Sequence, residues 1–358
     1  MTPTPRALTP AEVEAFGAEI DALYQRTRAD LGATDARYIR RVARLARTLG
    51  VAGRAALFFG ALPPAWVCGV ALLALAKIIE NMELGHNVMH GQYDFTRDPA
   101  FASGTYEWDS VCPADQWRHS HNYLHHTFTN VVGRDHDLGY RLLRVTDAQP
   151  WEPSHALQPL YALALAVLFE WGVALHDLDV KAWLRGPRAS EDTARLRAIG
   201  RKALAQALKD YVLFPLCAGP FALSVLAGNV AANLIRNLWA FTVIFCGHFP
   251  DGTETFSADT IEGETRAAWY LRQLRGSANF DGPPLMHFLS GHLSHQIEHH
   301  MFPDIPAHRY PAMAREVRAI CAQYGIAYNT GSLPAQFATV VRRIVRLALP
   351  PSITRAFA

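Results

Sequence analysis

Polar, arginine-rich stretches alternate along this chain with long apolar ones. Residues 9–31 open on Thr9-Pro10-Ala11-Glu12, a capping-box pattern with proline at the first helical position, so an amphipathic helix in water is expected. The arginine-dense "RYIRRVARLARTLGVAGR" follows, and then "AALFFGALPPAWVCGVALLALAKIIENM". From Ala65 to about Met82 this run is long enough to cross a bilayer core of ~30 Å at ~1.5 Å per residue. "LQPLYALALAVLFEWGVAL" (157–175) is a further apolar run, and 211–249 is long enough for two spans joined near Gly228-Asn229. Beyond Pro303 the chain reads as soluble, with a basic amphipathic segment at 340–350 suited either to a membrane surface or to packing on the cap.

Residues 177–210 hold eight Lys/Arg, which the positive-inside rule assigns to the cytoplasm. If the polar clusters described below share one site, the 211–249 hairpin must return the chain to its starting side. The run 157–175 then lies in the interface or re-enters, and the chain must turn tightly around Pro63-Pro64. The expectation is one all-α, membrane-embedded domain over residues 1–358 with a cytoplasmic cap. It divides into soluble helices at about 1–47, membrane segments at about 48–302 and cytoplasmic helices at about 303–358.

A net charge of +2 gives no reason to expect nucleic-acid binding. The five cysteines are scattered without a C-x-x-C pair, which argues against a disulfide framework and against a thiolate metal site. No apolar segment follows Met1 closely enough to read as a signal peptide. Histidine changes the picture. Eleven of the sixteen fall within His86–His126 and His287–His300. One imidazole on a packed face is usually a core residue, but clustering of this kind defeats that reading for the group.

His86 and His90 stand four apart at the end of the expected helix, a spacing that brings side chains to about 5–6 Å. A helix from Ala65 to His90 would run roughly 39 Å and lift the pair clear of the hydrocarbon. His121, His125 and His126 repeat the spacing and add an adjacent ring; so do His295, His299 and His300. His248 ends the last apolar run. Neutral imidazole suits Zn, Cu, Fe and Ni. One zinc needs three or four ligands, whereas nine imidazoles fit two ions. A nitrogen-rich dimetal site beside a membrane suits iron activating O₂ against an apolar substrate.

"ENMELGHNVMHGQ", "WRHSHNYLHHTFTN", "GHFPDG" and "HQIEHHMFP" together resemble the membrane fatty-acid desaturases, and within them the actinobacterial-type acyl-CoA Δ9 desaturases. "DARYIRR", "FEWGVAL", "KDYV" and "WYLRQLRGSANF" extend the likeness to nearly the whole chain. The resemblance implies a four-helix membrane bundle whose cytoplasmic cap holds a histidine-ligated di-iron site. The ligands it implies are His86, His90, His121, His125, His126, His248, His299 and His300. The ninth is either His295 or Gln296, since front-end desaturases carry glutamine at the latter place; His295 is favoured, with Gln296 behind it as a hydrogen-bonding group, and Asn237 and Asn279 are read as further supports. It implies an enzyme that uses O₂ and two electrons to place a cis double bond in a long-chain acyl-CoA, the chain lying in a bent apolar tunnel. Location in a bacterial cytoplasmic membrane, with the site facing the cytoplasm, follows from the same likeness.

Trp108, Trp117 and Trp239 either line that tunnel or serve as core aromatics. Glu83, Asp94, Asp98 and Glu107 are candidates to orient imidazoles, or are simply solvated. His119 and His292 lie near the boxes; His136, His155, His176, His287 and His308 read as ordinary polar residues. No nucleotide, haem or iron–sulfur motif is visible, so a separate NAD(P)H-dependent reductase or ferredoxin is expected, with 177–210 a candidate docking face. Rival readings are a hydroxylase or other monooxygenase on the same scaffold, an acyl-lipid desaturase of different regiochemistry, and a metal transporter or sensor.

Overall fold

Thr9 caps the first helix as its sequence suggests: its hydroxyl accepts from Glu12 N, and the Glu12 carboxylate accepts from Thr9 N. In this computed structural model residues 8–178 and 190–354 are described, and they are mostly helical. Helix α1 (Pro10–Ala29) buries Phe16, Ile20 and Leu23 against α9 (Arg266–Gly276) and α11 (Tyr310–Tyr324). Helix α2 (Ala33–Phe58) and α3 (Pro63–Met89) meet at a turn before Pro63, where a tight hairpin is expected. They run antiparallel in close contact. A Cβ added at Gly53 would sit 2.7 Å from Leu73 N, and one at Gly69 would sit 2.9 Å from Leu57 N. Glycine lets helix backbones approach this closely, as is common between membrane helices.

Among the described residues two helices are long and apolar enough to cross a membrane: α3, with 27 residues, and α8 (Gly219–His248), with 30. The expectation of two spans joined near Gly228-Asn229 is corrected. Helix α7 runs from Ser190 to Cys217 with Ala218 as its cap, and α8 passes unbroken through Gly228 and Asn229. Gly228 is needed for packing rather than turning, because a Cβ there would strike Leu57. Asn229 spends its amide on the Asp210 carbonyl of α7. The left-handed Gly219 (φ 54°) and its neighbour Pro220 make the turn instead.

Asp210 is fully buried and accepts from Arg54 of α2 and Lys77 of α3, both at 2.8 Å. Charges in such surroundings persist only when paired. This cluster ties the two hairpins together. The run 157–175 is not one helix: α5 (Pro153–Val167) and α6 (Phe169–Leu175) meet at 101°. The carbonyl of Val167, freed by the bend, accepts from Asn237 Nδ2 at 2.9 Å.

Helix α4 (114–128) carries the second histidine run, and α10 (Gln296–Met301) the third. Between α9 and α10, strand β1 (Asn279–Asp281) pairs in parallel with β2 (Thr330–Ser332), the only sheet among the described residues. Helix α12 (Leu333–Ala348) buries Val340, Ile344 and Leu347 while Val341, Val345 and Leu349 stay exposed alongside it.

Candidate metal centre

The end of α3 and the middle of α4 are wound as π-helix, over Ile79–His86 and Arg118–His125. Such wider turns inside α-helices often mark functional sites. His86 and His90 nevertheless face one another, with ring centroids 4.6 Å apart. Gln92 anchors the end of this segment, donating to the Pro303 carbonyl and accepting from Ala307 N. Helix α10 then brings His299 to 4.9 Å from His86 and 4.6 Å from His90.

Eight of the nine expected histidines converge. His86, His90, His121 and His299 each offer a ring nitrogen within 4.8 Å of the others, and so do His125, His248 and His300. His126 joins the two sets: with His299 and His300 it forms a third group, and its ring stacks on His300 at 4.3 Å. All eight are buried. The Nε2 atoms of His86, His90, His121 and His125, and both nitrogens of His126 and His299, have no hydrogen-bond partner. Orphaned buried acceptors are costly in a folded protein. Imidazole nitrogens turned toward common points are the donor set that nitrogen-preferring divalent metals require.

Burial, reinforced by neighbouring imidazoles, holds His90, His126, His299 and His300 well below the usual histidine range. These rings are therefore neutral, the form that binds metal. At His125 burial also opposes the charge, but Asp135 and Asp137 outweigh it and raise the group to about 9.

The carboxylates that hold the rings lie in the loop after α4. His125 Nδ1–H donates to Asp135 at 3.0 Å, and His121 Nδ1–H donates to Asp137 at 2.9 Å. Asp135 also accepts the backbone N–H groups of Asn130 and Asp137. Asp137 accepts from His176 Nε2 at 2.7 Å, which brings a histidine read as ordinary into the network. His300 Nδ1–H donates to Gln273 Oε1 at 3.0 Å. Asp135, Asp137, His176 and Gln273 were all outside the expected set. The signal available was "DHD" at 135–137, ten residues past His125.

Of the four carboxylates expected in this role, only Glu83 touches a histidine near the boxes, accepting from His292 Nδ1 at 2.9 Å and from Tyr38 at 2.6 Å. Asp94 is taken by Ser103, Asp98 by Arg40 and Glu107 by Lys202. His119 is exposed beside Tyr123.

His295 does not join the cluster. Its ring packs against His287 at 4.8 Å, and Ser294 lies within hydrogen-bonding distance. Burial pushes its pKa down to about 3. His292 is left-handed (φ 57°), and the backbone of His295 is not helical, so α10 begins only at Gln296. The spacing from His295 to His299 therefore does not lie on one helix face. Gln296 turns inward instead, its amide 2.9 Å from His248 Nε2. Asn279 supports α10 from behind, accepting from Ile297 N and donating to Glu298.

A cavity of about 50 Å³ reaches His86 and His121, lined by Met82, Trp108, Trp117, Asn237 and Ala240 among others. Trp239 faces elsewhere and donates to the Leu289 carbonyl. Space of this size takes a few waters. An acyl chain entering it requires the lining side chains to part.

The sequence model of the family described as "Fatty acid desaturase" matches residues 61–332. The chain is 45% identical over 354 residues to an NADPH-dependent stearoyl-CoA 9-desaturase of Mycobacterium tuberculosis, covering 97% of this chain and 83% of the relative. It is 26% identical over 283 residues to an sn-1 linoleoyl-lipid 6-desaturase of Synechocystis, covering 76% of this chain and 77% of that protein. An acyl-lipid (7-3)-desaturase of Rebecca salina is 27% identical over 241 residues, or 66% of this chain and 54% of the relative. Eight buried imidazoles on matched segments and a likeness spanning almost the full length leave one conclusion: the chain belongs to the fatty acid desaturase family.

Proposed function

We propose that this protein uses O₂ to introduce a cis double bond at Δ9 of a long-chain saturated acyl-CoA, with two electrons drawn from a separate NAD(P)H-dependent reductase or ferredoxin-type donor. The observation that carries the reading is the pair of adjoining nitrogen pockets built from eight buried histidines. The name of the mycobacterial relative supports the substrate and the NADPH dependence. Two iron ions, when bound, would supply O₂ activation and cleavage of unactivated C–H bonds.

The rest falls to the chain's own residues. His86, His90, His121 and His299 would hold one ion and His125, His248 and His300 the other, with His126 shared between the two groups. Asp135, Asp137 and Gln273 take the far N–H of three rings, which fixes each tautomer and leaves the opposite nitrogen free as the one that would meet a metal. Gln296 closes the set beside His248. Trp108 and Trp117 wall the cavity beside His86 and His121, where a CH₂–CH₂ pair must be held for chemistry to be selective.

Four arms cross the membrane in this reading: the apolar end of α2, then α3, the end of α7, and α8. The α5–α6 bend lies within the membrane, and the terminal helices form a cap in the cytoplasm. The Arg54–Asp210–Lys77 cluster, which joins three of these arms, supports that arrangement. The test is conversion of stearoyl-CoA by the purified iron-loaded protein with O₂, NADPH, ferredoxin and ferredoxin reductase, read by gas chromatography–mass spectrometry. Oleoyl product is expected; a hydroxylated product, or an alkene at another position, would overturn the assignment.

A further inference from the structure

Helix α10 has two sides. Gln296, His299 and His300 face the metal centre, while Glu298 is held from the other side by Asn279 and Tyr328, which with Asp281, His295, Arg315 and Arg318 line a surface recess of about 170 Å³. The recess communicates with the centre through bonded groups. Tyr328 donates to Glu298 Oε1 at 2.9 Å, Asn279 donates to Glu298 Oε2 at 2.9 Å, and His299 follows directly in the chain. One α-helix, about 10 Å across, separates this surface from the imidazoles.

Arg315 and Arg318 stand one turn apart on α11, both exposed, and neither forms an ion pair among the described residues. The Arg318 guanidinium lies 5.0 Å from the Tyr328 ring centroid. The other basic candidate, 177–210, keeps exposed arginines of its own, Arg197 and Arg201, and supplies the comparison. Its residues 179–189 lie outside the described residues, and Arg195, Lys202 and Lys209 are already paired with Asp177, Glu107 and Asp109.

We infer that this recess is the docking face for an acidic one-electron donor protein, which Arg315 and Arg318 draw in by complementary charge and hold one helix away from the histidines. The inference rests on the O₂-dependent desaturase reading and names its partner surface. Each turnover breaks two C–H bonds, forms one C=C bond, and consumes one O₂, two protons and two donor electrons, with both oxygen atoms leaving as water. The donor must therefore dock twice, or carry two electrons, per product.

The test uses the full chain in lipid nanodiscs with stearoyl-CoA, and a reduced plant-type [2Fe–2S] ferredoxin as the donor probe. A parallel arm replaces ferredoxin with dithionite-reduced methyl viologen. Three double variants are compared: Arg315→Glu/Arg318→Glu, the charge-keeping Arg315→Lys/Arg318→Lys, and, as a matched control on α7, Arg197→Glu/Arg201→Glu. The first should raise the ferredoxin KM and Kd by about tenfold or more and flatten their dependence on salt. Viologen-driven turnover and iron content should not change, and the lysine variant should retain most of the affinity.

An unchanged ferredoxin KM overturns the inference, as does a larger effect from the α7 variant. A rise in the stearoyl-CoA KM alone would instead assign the recess to the CoA phosphates and also overturn it. Absence of alkene from the wild type in the viologen arm would be a failure of the desaturase reading. Ferredoxin binding, with and without the two arginines, would still decide the docking face.

Discussion

Asp135 is the residue whose replacement probes the site's design most sharply. Its side chain is fully buried and accepts three donors: His125 Nδ1–H at 3.0 Å, Asn130 N at 2.8 Å and Asp137 N at 2.9 Å. Asp135→Asn keeps the shape but replaces one accepting oxygen with an NH₂ group, so at least one donor loses its partner. His125 is then free to rotate or to change tautomer. Losing such a partner typically weakens metal affinity or activity by about 10–100-fold. At about 1.4 kcal/mol per tenfold, that is about 1.4–2.8 kcal/mol of binding free energy.

The assay is iron titration of the apo-protein in detergent, followed by optical absorption, with turnover measured on the reloaded enzyme. Asp94→Asn is the control. It lies near the first histidine run, but its carboxylate is occupied by Ser103 N and Oγ, so iron affinity should not change. Wild-type iron affinity in Asp135→Asn, or equal losses in both variants, would refute the role given to the loop after α4.

His295→Ala should leave two irons per chain and near-normal turnover, whereas His300→Ala should lose iron and activity; metal analysis of the purified variants separates them. Gly69→Leu should reduce folded yield and thermal stability, because its Cβ meets the Leu57 backbone at 2.9 Å and overpacking costs about 1–3 kcal/mol. Asp35 sets an acid limit on the contact between the start of α2 and Arg309 before α11. Burial alone would raise its pKa, but hydrogen bonds from Arg309 and Gly32 N bring it down from 3.8 to about 2. The stability this contributes is present above pH 3.8 and is lost as the pH falls toward 2. Asp35→Asn should therefore flatten the acid side of a melting-temperature profile.

The long apolar helices and the clustering of the histidines were legible because both depend on local spacing. Apolar length marked α3 and α8, and H-x3-H runs placed pairs of rings together even through the π-helical turns. Features set by backbone breaks were not legible. The left-handed His292 shifts the start of α10 and exchanges His295 for Gln296, which composition cannot signal. Left-handed Asn130 and Gly133 shape the loop that folds Asp135 and Asp137 back onto α4, so those carboxylates meet rings that their distance in sequence does not suggest. The α7–α8 turn was misplaced because hydropathy is uniform over 211–249; the polar group at Asn229 is satisfied across the hairpin, not at its tip.

The most direct measurement of the central claim is metal analysis combined with X-ray absorption at the iron edge on the purified protein. The account predicts two irons per chain in a first shell dominated by imidazole nitrogen, with an iron–iron vector. A single ion per chain, or a shell dominated by sulfur, would contradict it.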